Sequence, residues 1–172
     1  MADVRGFLAR RRVTLGFVAA AATLWLAAPT WDSWTIGLAV ATCGEALRVW
    51  AAGHLEKSRE VTRSGPYRFM RHPLYVGSAV MALGILVAAR SPVAALLTTL
   101  YMVATLTAAI RSEEAFLRER FGDTYDRYAA ATAEPVYRRF SVARAVRNRE
   151  YRAVLGVAAG FGLLALKLAV PL

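Results

Sequence analysis

Gly65-Pro66-Tyr67-Arg68-Phe69-Met70-Arg71-His72-Pro73-Leu74-Tyr75-Val76-Gly77 is the densest run of special residues in a chain otherwise rich in Ala, Leu and Val. It lies where a basic, polar segment meets an apolar one. Pro66 fixes one turn. Pro73 keeps His72 out of helical geometry and predicts an extended backbone there. A histidine held this way at the end of an apolar helix is positioned, not merely exposed. A helix-entry loop with snorkelling arginines is the plainer reading of the same residues.

Outward from this stretch the chain is apolar. Of its 172 residues, 57% are hydrophobic, and the mean hydropathy is +0.38. Soluble domains sit near about 45–50%, so the excess points to a membrane, and the length to one domain, 1–172. A bilayer core takes about 20 apolar residues per helix. Five stretches approach that length: 13–28, 35–52, 75–89, 92–110 and 153–171. The expected fold is all-α, a polytopic membrane helix bundle of about five transmembrane helices. Two spans fill 1–52, a core with a two-helix hairpin fills 53–140, and a basic segment and last span fill 141–172.

The net charge is +10. Its placement favours cytosolic loops and anionic headgroups, so no nucleic-acid partner is expected. Arg5, Arg10, Arg11 and Arg12 precede the first span. Lys57, Arg59, Arg63, Arg68 and Arg71 separate the second and third. Ten arginines lie from Arg111 to Arg152, and the other loops hold only Arg90. The positive-inside rule then puts the N-terminus, 53–74 and 111–152 in the cytosol and the C-terminus outside. The apolar stretch after Arg12 is long enough to remain as a span rather than a cleaved signal. Cys43 stands alone, so no internal disulfide forms. His54 and His72 are the only histidines, and no ligand spacing suggests a metal site.

Within the spans, Glu45 and Arg48 share one helical face and are expected to pair and fix packing. Gly156 and Gly160 form a small-xxx-small surface for close helix approach. After the fourth span, 111–121 reads as a continued amphipathic helix with an i,i+4 pair between Glu114 and Arg118. Gly122 stops it, and Asp123 is placed to cap the next turn, which carries Tyr125 and Tyr128. Glu113 and Glu114 form either a solvated face or an anionic site beside the 65–77 loop.

His72 and Arg71 offer donors, Tyr67 and Tyr75 aromatic faces, and Glu113 and Glu114 negative charge. S-adenosylmethionine suits that set, though not uniquely. Its sulfonium favours carboxylates and π faces, and its carboxylate favours donors. No glycine-rich strand-to-helix fingerprint points to a Rossmann fold.

Two linked motifs carry a resemblance over roughly 44–135. The first is Gly65-Pro66-Tyr67 followed by Arg71-His72-Pro73-Leu74-Tyr75-Val76-Gly77. The second is Glu113-Glu114-x-x-Leu117-x-x-x-Phe121-Gly122-x-x-Tyr125-x-x-Tyr128. In this order, separated by a helical hairpin, they resemble the integral-membrane isoprenylcysteine carboxyl methyltransferase and phospholipid methyltransferase group. The resemblance implies an S-adenosylmethionine-dependent enzyme with a cytosolic-face pocket and a lipid or lipophilic small-molecule acceptor arriving from the bilayer. It implies cofactor contacts by Val61, Thr62, Tyr67, His72, Pro73, Leu74, Tyr75, Glu113 and Glu114. The prenylcysteine enzymes carry an arginine one turn before the first glutamate, where this chain has Ala109; Arg111 is the substitute considered for a catalytic role. NADPH-dependent membrane reductases of the sterol type share a similar Arg-His-Pro-x-Tyr element but bind a nicotinamide cofactor and often have Asn at the position of Leu74. A non-catalytic lipid-binding scaffold is the third reading.

Overall fold

The computed structural model describes residues 2–170, with side chains from Thr14 onward. The arginine side chains expected before the first span, and Pro171, lie outside the described residues. Every regular element described is helical: α1 (Ala2–Leu26), α2 (Trp31–Ala52), a 3-10 turn (Gly65–Arg68), α3 (Pro73–Ala89), α4 (Pro92–Phe121), α5 (Asp123–Ala129), α6 (Val142–Arg147) and α7 (Tyr151–Ala169).

Local chemistry sets these boundaries. Thr30 and Ser33 form a capping box that starts α2 four residues before the apolar run expected at 35. Pro73 and Pro92 open α3 and α4 at first-turn positions, where proline has no amide to lose. Ser91 and Ser141 cap α4 and α6 through their side chains. Asp123 makes no capping bond; it is the first residue of α5, and Gly122 takes the cap position at φ +46°. Among the described residues two helices are long and apolar enough to cross a bilayer, α4 and α7. Thr14–Leu26 and Pro73–Ala89 are apolar but shorter.

The tightest packing joins α2 to α3. A Cβ on Gly44 would sit 2.6 Å from the Met81 amide nitrogen and 2.7 Å from the Gly77 carbonyl. One on Gly84 would sit 2.5 Å from the Ala41 nitrogen and from the Gly37 carbonyl. Gly37, Ala41 and Gly44 thus lock against Gly77, Gly84 and Ala88 at backbone distance, as small residues do between helices. The close approach expected on α7 is not made within the chain: among the described residues nothing lies within 4 Å of a Cβ at Gly156 or Gly160.

α7 runs beside α2, in the opposite sense. Near its C-terminal end Lys167 donates to the carbonyls of Leu24 (3.1 Å) and Trp25 (2.8 Å) at the end of α1. Trp34 donates to the Phe161 carbonyl at 2.9 Å. At the opposite end Glu150 accepts from Arg48 Nε at 2.6 Å. Here the structure overturns the local pair. Arg48 turns to Glu150, the Leu74 carbonyl and Ser78. Both Glu45 oxygens are buried with no hydrogen-bond partner. Glu150 lies 102 positions away in sequence, beyond any local periodicity. The same end of the bundle gathers the 53–74 connection and the basic segment that follows α5.

Candidate functional site

A cavity of about 440 Å³ opens at that basic end, within the size range of small-molecule sites. Three pieces of chain build its walls, and Tyr128 of α5 joins them. The 53–64 loop, which has no regular helix, supplies one wall. The 3-10 turn and the entry to α3 supply a second. One face of α4 supplies the third, through Ala109, Ser112, Glu113, Phe116 and Leu117. These positions follow helical spacing from Glu113.

Gly65 makes the corner. Its φ is +56°, and a Cβ there would lie 2.5 Å from the His54 ring. His54 is buried, with Nδ1 3.2 Å from Ser64 Oγ. Burial, then Arg144 and Arg138, hold its pKa below the usual histidine value. It belongs to the scaffold of the loop. Tyr128 on α5 donates to the Tyr67 carbonyl at 2.9 Å and so ties the 3-10 turn to α5. Burial pushes the Tyr67 and Tyr128 hydroxyls far above the ordinary tyrosine range, so both stay protonated.

His72 leaves the helical region as Pro73 requires, but at φ −128°, ψ 56° it stops short of the extended backbone expected. Its Nε2 lies 3.0 Å from Glu114 Oε1. A carboxylate only accepts, so Nε2 carries the proton and Nδ1 faces Glu113 Oε2 at 4.0 Å. Arg71 (3.2 Å) and Arg118 (3.7 Å) complete the surroundings of Glu114. The Tyr75 ring lies 5.7 Å from the His72 ring.

The structure gathers Val61, Thr62, Tyr67, His72, Pro73, Leu74, Tyr75 and Glu113 around the one cavity. Glu114 sits behind His72 and reaches the cavity through it. Arg111 is exposed and outside the lining. The sequence reading missed Leu55, Glu56, Lys57, Ser58, Ser112, Phe116 and Tyr128 as lining residues. The period from Glu113 could have found the residues on α4; no local signal marks the loop residues.

An apolar groove between α1 and α4, lined by Phe17, Ala20, Tyr101 and Leu106, also reaches Ala109. Ala109 therefore borders both the cavity and a groove open to the flank of the bundle.

His72 and His54 separate site from scaffold. His72→Ala is expected to weaken ligand binding about tenfold, one charge-assisted contact, with little change in thermal unfolding. His54→Ala is expected to lower the unfolding temperature with a smaller effect on affinity. Titration and melting of the two variants check this; equal losses of affinity would make the loop purely structural.

Fold and cavity together define an all-helical protein with apolar helices and a ligand pocket at its arginine-rich end. The phospholipid methyltransferase family profile matches residues 12–124, and the chain belongs to this family. It is similar to a probable protein-S-isoprenylcysteine O-methyltransferase of Oryza sativa subsp. indica, 36% identical over 92 residues, 54% of this chain and 48% of the relative. It is similar to the nickel-cobalt-cadmium resistance protein NccN of Alcaligenes xylosoxydans xylosoxydans, 34% identical over 110 residues, 63% and 50% of the two chains. The protein-S-isoprenylcysteine O-methyltransferase of Schizosaccharomyces pombe is 32% identical over 90 residues, 52% and 38%. The chain spans about half the length, or less, of these curated relatives. No solved structure matches it.

Proposed function

We propose that this chain is an S-adenosylmethionine-dependent methyltransferase acting on a lipophilic acceptor at the cytosolic face of a membrane. Glu113 carries the reading. It lines the cavity, and His72 Nδ1 is 4.0 Å from its Oε2. The other lining carboxylates, Glu56 and Glu60, are already held by arginines. One carboxylate is thus left for a cationic ligand, beside the rings of Tyr67, His72 and Tyr75 and the donors of Arg71 and Lys57. That set fits the ammonium, sulfonium and carboxylate of the cofactor.

When bound, the cofactor supplies an electrophilic methyl group on sulfur. The chain's part is to orient and to exclude water. Glu113 holds the ammonium and ribose rather than the sulfur, because a carboxylate at the sulfonium would favour the ground state. Glu114 acts through His72, fixing its ring. Tyr67 stays uncharged. The groove that meets the cavity at Ala109 gives an apolar acceptor a way in from the bilayer. Its nucleophile is an oxygen, nitrogen or sulfur.

In this reading 1–172 is one multi-pass membrane unit of five spans, α1, α2, α3, α4 and α7, with 53–140 as its cofactor-binding core. The basic end is cytosolic and the C-terminus outside. Labelled methyl transferred from S-adenosylmethionine into the organic-soluble fraction of membranes, and lost in Glu113→Ala, supports the activity. Label that enters no lipophilic product from any membrane or small-thiol pool sinks it. Cysteines placed at exposed position 69 and near the C-terminus, in a Cys43→Ser background, should label from opposite sides; labelling from one side breaks the five-span topology.

A further inference from the structure

Residues 134–150 lie beyond the family match at 12–124, yet they are bonded to the cavity wall. Arg138 forks onto Glu60 at 2.6 and 2.8 Å. Arg144 Nε donates to Glu56 at 2.7 Å, and its Nη1 to the Gly53 carbonyl at 2.6 Å. Arg147 Nη2 lies 3.1 Å from both Glu56 oxygens. The backbone follows the same course. Ser141 N donates to the Gly53 carbonyl at 3.1 Å, and Val136 N to the Arg63 carbonyl at 3.3 Å. Asn148 Nδ2 donates to the carbonyls of Ala52 (2.8 Å) and Leu55 (2.9 Å). At the far end Glu150 takes Arg48, which holds the Leu74 carbonyl on the opposite wall at 3.2 Å.

The loop gripped in this way has few bonds of its own. Among the described residues, those of 55–64 with the neighbouring chain are Leu55 N to the Ala51 carbonyl, Arg59 N to the Glu56 carbonyl, Glu56 N to Thr62 Oγ1, Ser64 Oγ to His54, and Tyr67 N to the Ser64 carbonyl. Ser58 holds a left-handed φ of 59°. Exposed ion pairs contribute little. These differ: Arg144 and Glu56 are 15% and 16% exposed, Arg138 is forked, and Arg144 also takes a carbonyl. Such charge-assisted, bidentate bonds fix geometry. Removing Arg138 would free the Glu60 carboxylate at the rim of the cavity, to compete with Glu113 for any cation, and removing Arg144 would leave Glu56 to the more exposed Arg147.

We propose that 134–150 is a strap that completes the cofactor pocket, with Arg138 and Arg144 as positioning residues that hold Glu60 and Glu56 in the wall. The inference rests on the methyltransferase reading above.

The test uses the full chain in detergent, as Arg138→Gln, Arg144→Gln, Arg138→Lys and the double variant Glu60→Gln/Arg138→Gln. Two quantities are read: S-adenosylmethionine affinity and hydrogen exchange of 53–64. Each glutamine variant should weaken binding about tenfold, the size of one lost charge-assisted bond. Exchange at 53–64 should quicken while α2 and α3 stay protected. Arg138→Lys keeps the charge but not the fork and should recover only part. The double variant should bind better than Arg138→Gln alone, since no freed carboxylate remains at position 60. In turnover, KM for the cofactor should rise with kcat kept within about twofold. Wild-type affinity in the glutamine variants overturns the strap alone. So does a parallel fall in affinity, kcat and unfolding temperature, which is the signature of a general structural tie. Wild-type protein that does not bind S-adenosylmethionine overturns the methyltransferase reading, and the strap's role with it.

Discussion

Glu113→Ala is expected to weaken S-adenosylmethionine binding by roughly 100-fold, equivalent to about 3 kcal/mol and the upper range for a hydrogen bond to a charged group. The size follows from how the acidic residues are divided. Glu56, Glu60 and Glu114 each face arginine or histidine at 3.2 Å or less. Glu113 is 42% exposed and faces the cavity, and among the described residues no ion-pair contact to it is shorter than the 4.0 Å separation from His72. It contributes little to the fold, so the variant should melt like the wild type. Glu113→Gln keeps the shape and removes the charge, and should lose most of the same affinity. Calorimetric titration of both variants measures this. Unchanged affinity in either removes the carboxylate charge from the site.

Gly84→Val is expected to cost about 3 kcal/mol or more, a large part of a typical net stability of about 5–15 kcal/mol. The new Cβ would meet backbone on α2: the Ala41 nitrogen and the Gly37 carbonyl at 2.5 Å, and the Ala41 Cβ at 2.8 Å. Backbone cannot rotate away as a side chain can, so α2 and α3 must separate. Ala41 and Ala88, both fully buried, would lose their contact. Gly156→Val is the matched control, because nothing lies within 4 Å of that position; it should melt within about 0.5 kcal/mol of wild type. Thermal unfolding in detergent compares the two. A Gly84→Val protein as stable as the wild type would mean that α2 and α3 do not pack at backbone distance.

The helices were legible because their signals are local. Pro29, Pro73, Pro92 and Gly122 punctuate the apolar runs, and the described ends fall within a few residues of those read from the sequence, except that α1 begins at Ala2, well before the apolar run at 13. The packing partner was misassigned. Gly156 and Gly160 match a short motif, whereas Gly37 and Gly44, and Gly77 and Gly84, repeat at seven on two helices and have meaning only once those helices face each other. The site divides the same way. Tyr67, His72, Leu74, Tyr75 and Glu113 could be named because their motifs are contiguous or one helical period apart. The ties that hold Glu56 and Glu60 could not. Their arginines lie 78 to 91 positions downstream, and charge pairs over that distance leave no pattern in the chain. Arg48 illustrates the hazard: its near neighbour Glu45 looked like the partner, and Glu150 is.

The central claim is that the cavity binds S-adenosylmethionine, and equilibrium binding to the detergent-purified wild-type chain tests it most directly. S-adenosylmethionine and its demethylated product would be titrated alongside NADPH. Micromolar affinity is expected for the first two and none for NADPH. Binding of NADPH without S-adenosylmethionine would contradict that claim and turn the search for a substrate toward unsaturated lipids.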